Sequence, residues 1–281
     1  MLYIANHSPQ AKLVSDEVKE ASIQILSASA EGRKRLRQLD SRLYRAFIPL
    51  MEWLIIPGIT LHYVLRKRFI EHVVLESIKD GATQVINLGA GFDTAAYRLS
   101  RRFPQVNFVE VDHPATHAVK RDALAESTGE RQNLHFIPVD FTTQRLEDVL
   151  DSSPVVSPDA RTVVIVEGVL MYLEEPQVEH LFRSLPKFLH AGKRVVFTAI
   201  RPASPGTRLY GPLMNIYLKF KEEPLNWLCK KSDLPAFLKA VEYSVSELAG
   251  SQEFKKRFLP ADFEGFLHDA EYVAVADQNW L

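Results

Sequence analysis

The residues best able to do chemistry sit where short apolar runs end. The run Gln84–Leu88 leads into Gly89-Ala90-Gly91-Phe92-Asp93-Thr94. Paired glycines let a chain turn sharply and let a ligand come close to the backbone. A second run ends in Glu110-Val111-Asp112, a third in Asp140-Phe141 and a fourth in Glu167-Gly168. A carboxylate at Asp112 can accept hydrogen bonds from both hydroxyls of a ribose. It lies 23 residues after Gly89, which fits one βαβ unit. A carboxylate at Asp140 can accept from an adenine amine while Phe141 packs on the ring. One such acid is commonplace, but a glycine turn and three acids at four successive run ends are hard to attribute to solvation alone. The turn departs from the dinucleotide pattern G-x-G-x-x-G, because Thr94 stands at the third glycine position. Asp93 and Thr94 read instead as capping residues of the helix that follows.

Those residues need a scaffold, and hydrophobic periodicity supplies one. Residues 11–80 are predicted to be helical. Val14, Val18, Ala21, Ile25 and Ala28 keep a three-to-four-residue period, as do Phe69, Val73, Val74 and Ile78. The most apolar stretch, Phe47 to Leu65, contains Glu52, His62, Pro49, Pro57 and Gly58. It is too broken for a spanning helix, which needs about 20 mostly apolar residues. It reads as two buried helical pieces joined at Pro57-Gly58, packing in the core or walling an apolar pocket. Strands are predicted at 84–88, 106–111, 134–139, 162–166 and 194–200, with helices at 94–103, 117–126 and 176–189. The nearly all β-branched run Thr162–Val166 should be central and covered on both faces. Such alternation predicts a parallel sheet with helices on both faces. It stops at residues 201–241, a stretch rich in Pro and aromatic residues that reads as a lid insertion, with a helix at 234–240. Two late strands at 243–248 and 272–276 bring the sheet to seven. The chain thus divides into a helical N-terminal cap (1–80), a core (81–200), the lid (201–241) and C-terminal strands (242–281) of one domain.

Composition narrows the function classes. The chain has 281 residues and a formal net charge of -1, from 34 Lys and Arg against 35 Asp and Glu. That balance argues against a protein held on nucleic acid mainly by phosphate contacts. One cysteine, Cys229, excludes an internal disulfide framework. No basic segment followed by an apolar run opens the sequence, so the expected location is cytoplasmic. The basic cluster Arg33, Lys34, Arg35, Arg37, Arg42 and Arg45 spreads around a helix axis and reads as a solvated face, an acidic or membrane partner being the sharper alternative. Nine scattered histidines, with His113 and His117 the one suggestive pair, give no metal site.

Taken together, Asn87 to Thr94, Tyr97-Arg98-Leu99, Glu110 to Pro114, Asp140-Phe141 and Glu167 to Leu173 resemble the leucine carboxyl methyltransferase family, a group of class I S-adenosylmethionine-dependent methyltransferases. The resemblance implies a Rossmann-like α/β fold with S-adenosyl-L-methionine as cofactor and S-adenosyl-L-homocysteine as product. It implies that Arg66, in Arg66-Lys67-Arg68-Phe69, pairs with the methionine carboxylate, and a bidentate guanidinium suits that task. It places Gly89, Ala90 and Gly91 against the methionine part, Asp112 at the ribose, Asp140 and Phe141 at the adenine and Glu167 at the methionine amino group. The basic helix at 33–45 does not fit the cofactor contact of the phosphatase-directed members, and those carry more cysteines. The expected acceptor is therefore a small-molecule carboxylic acid, methylated to an ester. A phenol or other hydroxyl of a secondary metabolite and a protein C-terminal carboxyl are the alternatives.

Methyl transfer from a sulfonium needs mainly proximity and alignment. A carboxylate acceptor is already ionised near pH 7, whereas a phenol would need a base, for which His113, His117 and Glu167 are the candidates. Tyr172 and Tyr210 could orient the acceptor, which is expected between the Glu167–Tyr172 turn and the insertion around Tyr210 to Trp227. A nicotinamide-dependent oxidoreductase would require the missing third glycine. A nucleic-acid amine methyltransferase would require an Asn/Asp-Pro-Pro-aromatic motif where Glu167-Gly168-Val169-Leu170 stands. A catalytically silent cofactor-binding module is the remaining alternative.

Overall fold

The computed structural model describes residues 1–128, 131–140, 143–202 and 225–280. The N-terminal region forms helices α1 (Leu2–His7), α2 (Asp16–Ala28), α3 (Ala30–Asp40), α4 (Arg42–Ile55) and α5 (Ile59–Lys79). Serines set three of these starts. Ser15, Ser29 and Ser41 each accept, through the side-chain hydroxyl, the backbone N–H three residues on, at 3.4, 2.9 and 3.4 Å. That satisfies a donor the helix itself leaves free. The break between α4 and α5 falls at Pro57-Gly58, where Gly58 takes a φ of 75°.

Then comes the alternation: β1 (Gln84–Leu88), α6 (Ala95–Arg102), β2 (Asn107–Asp112), α7 (Pro114–Thr128), β3 (Leu134–Pro138), α8 (Leu146–Asp151), β4 (Thr162–Val166), α9 (Glu175–Phe188) and β5 (Lys193–Ile200). After the segment 203–224, which lies outside the described residues and holds most of the expected lid, follow α10 (Leu234–Ala240), β6 (Ser244–Ala249), α11 (Ser251–Phe258) and β7 (Glu271–Gln278). The seven strands are ordered β3-β2-β1-β4-β5-β7-β6. The first five are parallel, and β7 runs antiparallel between β5 and β6. The expected α/β class and the mostly parallel sheet are therefore present. The order reverses between β1 and β4, and in open α/β sheets the ligand crevice lies at the carboxyl ends of strands flanking such a switch.

Side-chain alternation builds a core on each face of the sheet. Ile86, Leu88, Val164 and Val166 pack with Phe182 and Phe188 of α9 on one side. Val85, Val163 and Ile165 pack with Leu65, Phe69 and Val73 of α5 on the other. All five residues of β4 are buried, as its composition predicts.

An expectation about the N-terminal helices fails. The apolar stretch was expected to be buried in both pieces, yet only α5 enters the core. No residue of α4 is buried. Apolar content reveals which residues would gain from burial, but not whether a partner surface is there to receive them. Among the described residues no single helix is long and apolar enough to cross a membrane. The pair α4 and α5 would pass on length and composition but is bent by 86°.

Candidate functional site

The glycine turn follows directly from the end of β1. Gly89 and Gly91 adopt φ of 68° and 50°, a region open to glycine at little cost. At Gly89 a Cβ would come within 2.5 Å of Val169 Cγ2, so the close passage of the β4 loop also requires glycine. Gly89 and Ala90 donate their N–H groups to the Val111 carbonyl at 2.8 and 3.3 Å, tying the turn to the end of β2. Asp112 completes that tie. Its Oδ2 accepts the Gly91 N–H at 2.5 Å and its Oδ1 the His113 N–H at 2.7 Å. The carboxylate is thus fixed beside the turn, and each oxygen retains further acceptor capacity. Asp93 caps α6 by accepting the Ala95 N–H at 2.6 Å. Thr94 does not cap with its side chain, which instead accepts from Arg98 Nε at 3.2 Å.

Beside the turn stands a cluster of charges. Arg66, on the buried side of α5, gives Nε to Glu167 Oε1 at 2.8 Å and Nη1 to both oxygens of Glu271 at 2.8 and 2.7 Å. Its Nη2 lies 2.6 Å from Glu167 Oε1. Lys67 bridges Asp93 Oδ2 at 2.5 Å and Glu167 Oε2 at 3.0 Å. His62 Nε2 lies 2.8 Å from Glu271 Oε2. Burial would discharge these groups, but their partners outweigh it. Arg66 is held above its ordinary pKa by Glu271 and Glu167, and Lys67 by Asp93 and Glu167. Asp93 is driven well below the carboxylate range by Lys67, and Glu271 to about 2 by Arg66 and His62. Glu167 sits on a turn set by Gly168, whose φ is 70° and whose N–H donates to Thr198 Oγ1 at 2.8 Å. Lys67, Asp93, Glu167, Asn87 and Thr94 line a cavity of about 270 Å3. A second cavity, of about 560 Å3, lies between the N-terminal helices and Phe92 of the turn; Leu26, Leu39, Tyr44 and Arg35 are among its walls.

The structure therefore brings Arg66, the glycine turn, Asp112 and Glu167 to one end of the sheet. Asp140 follows β3, the neighbour of β2, and its N–H donates to Gln144 Oε1 at 3.0 Å. Phe141 and Tyr210 lie outside the described residues. Tyr172 is partly exposed on a short 3-10 turn after β4, and its carbonyl accepts from Asn226 Nδ2 at 2.9 Å. Of the two candidate histidine bases, His113 is exposed and accepts the Ala115 N–H through Nδ1 at 3.2 Å. His117 is buried edge-on to Phe136, and that burial lowers its pKa. Arg68 lines the same cavity as Lys67 but donates to the Leu13 carbonyl at 2.9 Å rather than to the carboxylates.

The sequence reading missed Lys67, Glu271 and His62. Lys67 had a signal, since it neighbours Arg66 at the start of the match. Glu271 had none, because it comes from a strand 205 residues away. Deeper under β2, Glu110 and Lys120 meet at 2.5 Å with neither exposed. Burial raises the Glu110 carboxyl, against the pull of Lys120. Among the described residues no group of three His, Cys, Asp or Glu could hold a metal ion.

The sheet order, the glycine turn at the switch point and the acids on the adjoining strands define the Rossmann-like fold of class I methyltransferases. A solved structure from Thermobifida fusca, provisionally described as a methyltransferase, superposes with a TM-score of 0.61 at 15% identity, covering 85% of this chain and 89% of that one. A DUF574-family protein from Streptomyces avermitilis gives 0.59 at 14% identity, over 79% and 84%. The model of the leucine carboxyl methyltransferase family matches residues 4–185, and the chain belongs to that family. Among curated relatives, leucine carboxyl methyltransferase 1 of Eremothecium gossypii is 27% identical over 160 residues, 50% of this chain and 48% of the relative. A Bacillus subtilis protein provisionally named as an S-adenosyl-L-methionine-dependent methyltransferase is 27% identical over 163 residues, 57% and 53%. A Parafrankia protein of the same provisional name is 30% identical over 136 residues, 48% and 43%. The chain spans about half the length of the curated relatives it matches.

Proposed function

We propose that this protein is an S-adenosyl-L-methionine-dependent O-methyltransferase that converts a carboxylate of a small molecule to its methyl ester. The observation that carries the reading is Asp112, whose two oxygens are fixed by the Gly91 and His113 N–H groups at the switch point of the sheet. A carboxylate held there suits a pair of ribose hydroxyls. The rest of the site fits the cofactor's charged end. The cations Lys67 and Arg66 suit its carboxylate, and Glu167 its ammonium. Asp140 and Phe141 are assigned to the adenine. At Gly91 nothing lies within 4 Å of where a Cβ would be, and that open side of the turn suits a ligand running along it.

When bound, the cofactor supplies a methyl group already activated by its sulfonium. What the chain must do is bind, align and exclude water. Arg66 holds Glu167 and Glu271 at fixed distances, so the amino-group partner is set before the ligand arrives. We assign the acceptor to the cavity beside Phe92, where Leu26, Leu39 and Tyr44 suit a hydrophobic body and where Arg35, in an exposed pair with Glu31 of the same wall, can exchange that weak partner for a carboxylate. Neither His113 nor His117 is placed as a base, since the first is turned to its own helix start and the second packs against Phe136. Glu167, the third candidate, is engaged by Arg66 and Lys67, so the candidates among the described residues favour an acceptor ionised on its own, a carboxylate over a phenol.

Two measurements test this. S-adenosyl-L-homocysteine should raise the melting temperature and NAD should not; the reverse would overturn the cofactor assignment. Incubation of the cofactor with matched carboxylic acids and phenols should give base-labile methyl esters. Products that are ethers only would overturn the acceptor assignment.

A further inference from the structure

Helix α4 carries two apolar faces, and among the described residues only one of them packs on a partner. Tyr44, Ile48, Met51 and Ile55 line a cleft against Ile59 and Tyr63 of α5. Leu43, Phe47, Leu50 and Trp53 recur every three or four residues; Phe47 also lines that cleft, and the other three project on a different side. In that order the four are 85, 51, 47 and 57% exposed. A helix that is apolar over most of its circumference is normally buried or placed in a membrane interface. At 1.5 Å per residue the exposed stripe runs about 15 Å along the helix.

The charges on α3 and at the start of α4 are mostly positive. Arg33, Lys34 and Arg37 on α3 and Arg42 at the start of α4 are exposed. Among the acids nearby, Asp40 is exposed, while the other two are engaged. Glu31 pairs with Arg35 at 3.3 Å, and Glu52 turns inward to accept from Thr60 Oγ1 at 2.6 Å and from the Thr60 N–H at 3.3 Å. An exposed stripe of Leu, Phe and Trp bordered by an excess of Lys and Arg, four exposed cations against Asp40, is the composition of a helix lying in the plane of an anionic bilayer. A membrane-spanning role does not fit, because α5 is committed to the core and the α4–α5 pair is bent by 86°.

We propose that α4, with the basic surface of α3 beside it, docks this protein peripherally on an anionic lipid surface. The proposal is independent of the methyl-transfer reading.

Flotation of the full chain with phosphatidylcholine vesicles, with and without phosphatidylglycerol, tests it. Binding is expected on the anionic vesicles alone, with release in 1 M salt, where the Debye length falls to about 3 Å. Trp227 and Trp280 are buried, so a blue shift of tryptophan emission on vesicle addition reports Trp53. L43Q/L50Q should abolish both signals. R33Q/K34Q/R37Q should weaken binding roughly hundredfold, at about fivefold per cation. None of these five side chains is buried, so melting temperature and S-adenosyl-L-homocysteine affinity should stay at the wild-type values. Absence of vesicle binding, or equal binding to neutral vesicles, would overturn the proposal. So would a concentration-dependent dimer that L43Q/L50Q abolishes without any vesicle binding, which would make a second copy of this chain the occupant.

Discussion

Replacing Asp112 tests the cofactor site most directly. In the structure each carboxylate oxygen holds one backbone N–H, from Gly91 at 2.5 Å and from His113 at 2.7 Å, and each can still accept one ribose hydroxyl. A hydrogen bond to a charged group contributes about 1.5–3 kcal/mol. Two such bonds at the lower figure give about 3 kcal/mol, so Asp112→Ala should weaken S-adenosyl-L-homocysteine binding roughly a hundredfold. Asp112→Asn is the finer probe. An amide has one oxygen, so it can satisfy only one of the two N–H groups. It should keep the Gly91 contact, because the His113 N–H is exposed and can turn to water. One charge-assisted acceptor is then lost, and affinity should fall about tenfold. Isothermal titration calorimetry on both variants, with far-UV circular dichroism confirming the fold, reads these numbers. An Asp112→Ala affinity within threefold of wild type in a folded protein would refute the assignment of the pocket.

Other perturbations separate structure from ligand. Glu271 titrates near 2 in the fold against an ordinary 4.5, so the stability it contributes is fully present above pH 4.5 and is lost as pH falls toward 2. Linkage puts that at about 3 kcal/mol. In Glu271→Gln this part of the acid dependence, followed by urea unfolding at stepped pH, should vanish, and an unchanged acid limb would show that Arg66 does not hold the charge. Gly89→Ala adds a Cβ 2.5 Å from Val169 Cγ2 at positive φ, whereas Gly91→Ala meets nothing within 4 Å. The first should cost several kcal/mol and abolish cofactor binding, the second only the conformational penalty of about 1–2 kcal/mol; equal melting temperatures would contradict the turn geometry. Lys67→Met removes the cation shared by Asp93 and Glu167 and should weaken S-adenosyl-L-homocysteine binding at least tenfold by calorimetry, with 5′-methylthioadenosine binding less affected because it lacks the carboxylate.

What the sequence disclosed depended on the range over which its signals act. The strands at 84–88 and 162–166, the helix at 234–240 and the break at Pro57-Gly58 were legible because period, β-branching and turn chemistry are local. The strand-end acids were legible for the same reason: a parallel sheet puts successive strand ends on one side, so local ends become neighbours. The insertion of β7 between β5 and β6 is a nonlocal pairing with no trace in either strand's composition. Glu271 was invisible with it, although it saturates one side of Arg66. For α4 the failure was of another kind. Its apolar pattern was read correctly as a helix, but exposure is a property of what surrounds it. Thr94 failed for a subtler reason. Asp93, one residue earlier, already supplies the cap, which leaves the threonine hydroxyl to Arg98.

The charge of the site bears on which cofactor it suits. Arg66 and Lys67 face three carboxylates, Asp93, Glu167 and Glu271, and Asp112 and Asp140 follow on adjoining strands. The surroundings are therefore anionic in excess, and the low dielectric of a buried cluster makes that excess felt. A nicotinamide dinucleotide would bring a pyrophosphate dianion into this field, and the turn lacks the third glycine that lets such a group sit close. S-adenosyl-L-methionine brings a sulfonium and an ammonium against a single carboxylate, so its net positive charge complements the site. Transfer of the methyl group removes the sulfonium charge. The product is then neutral overall and meets less attraction from the same carboxylates, so the arrangement that favours capture of the cofactor also favours its release once the methyl has gone.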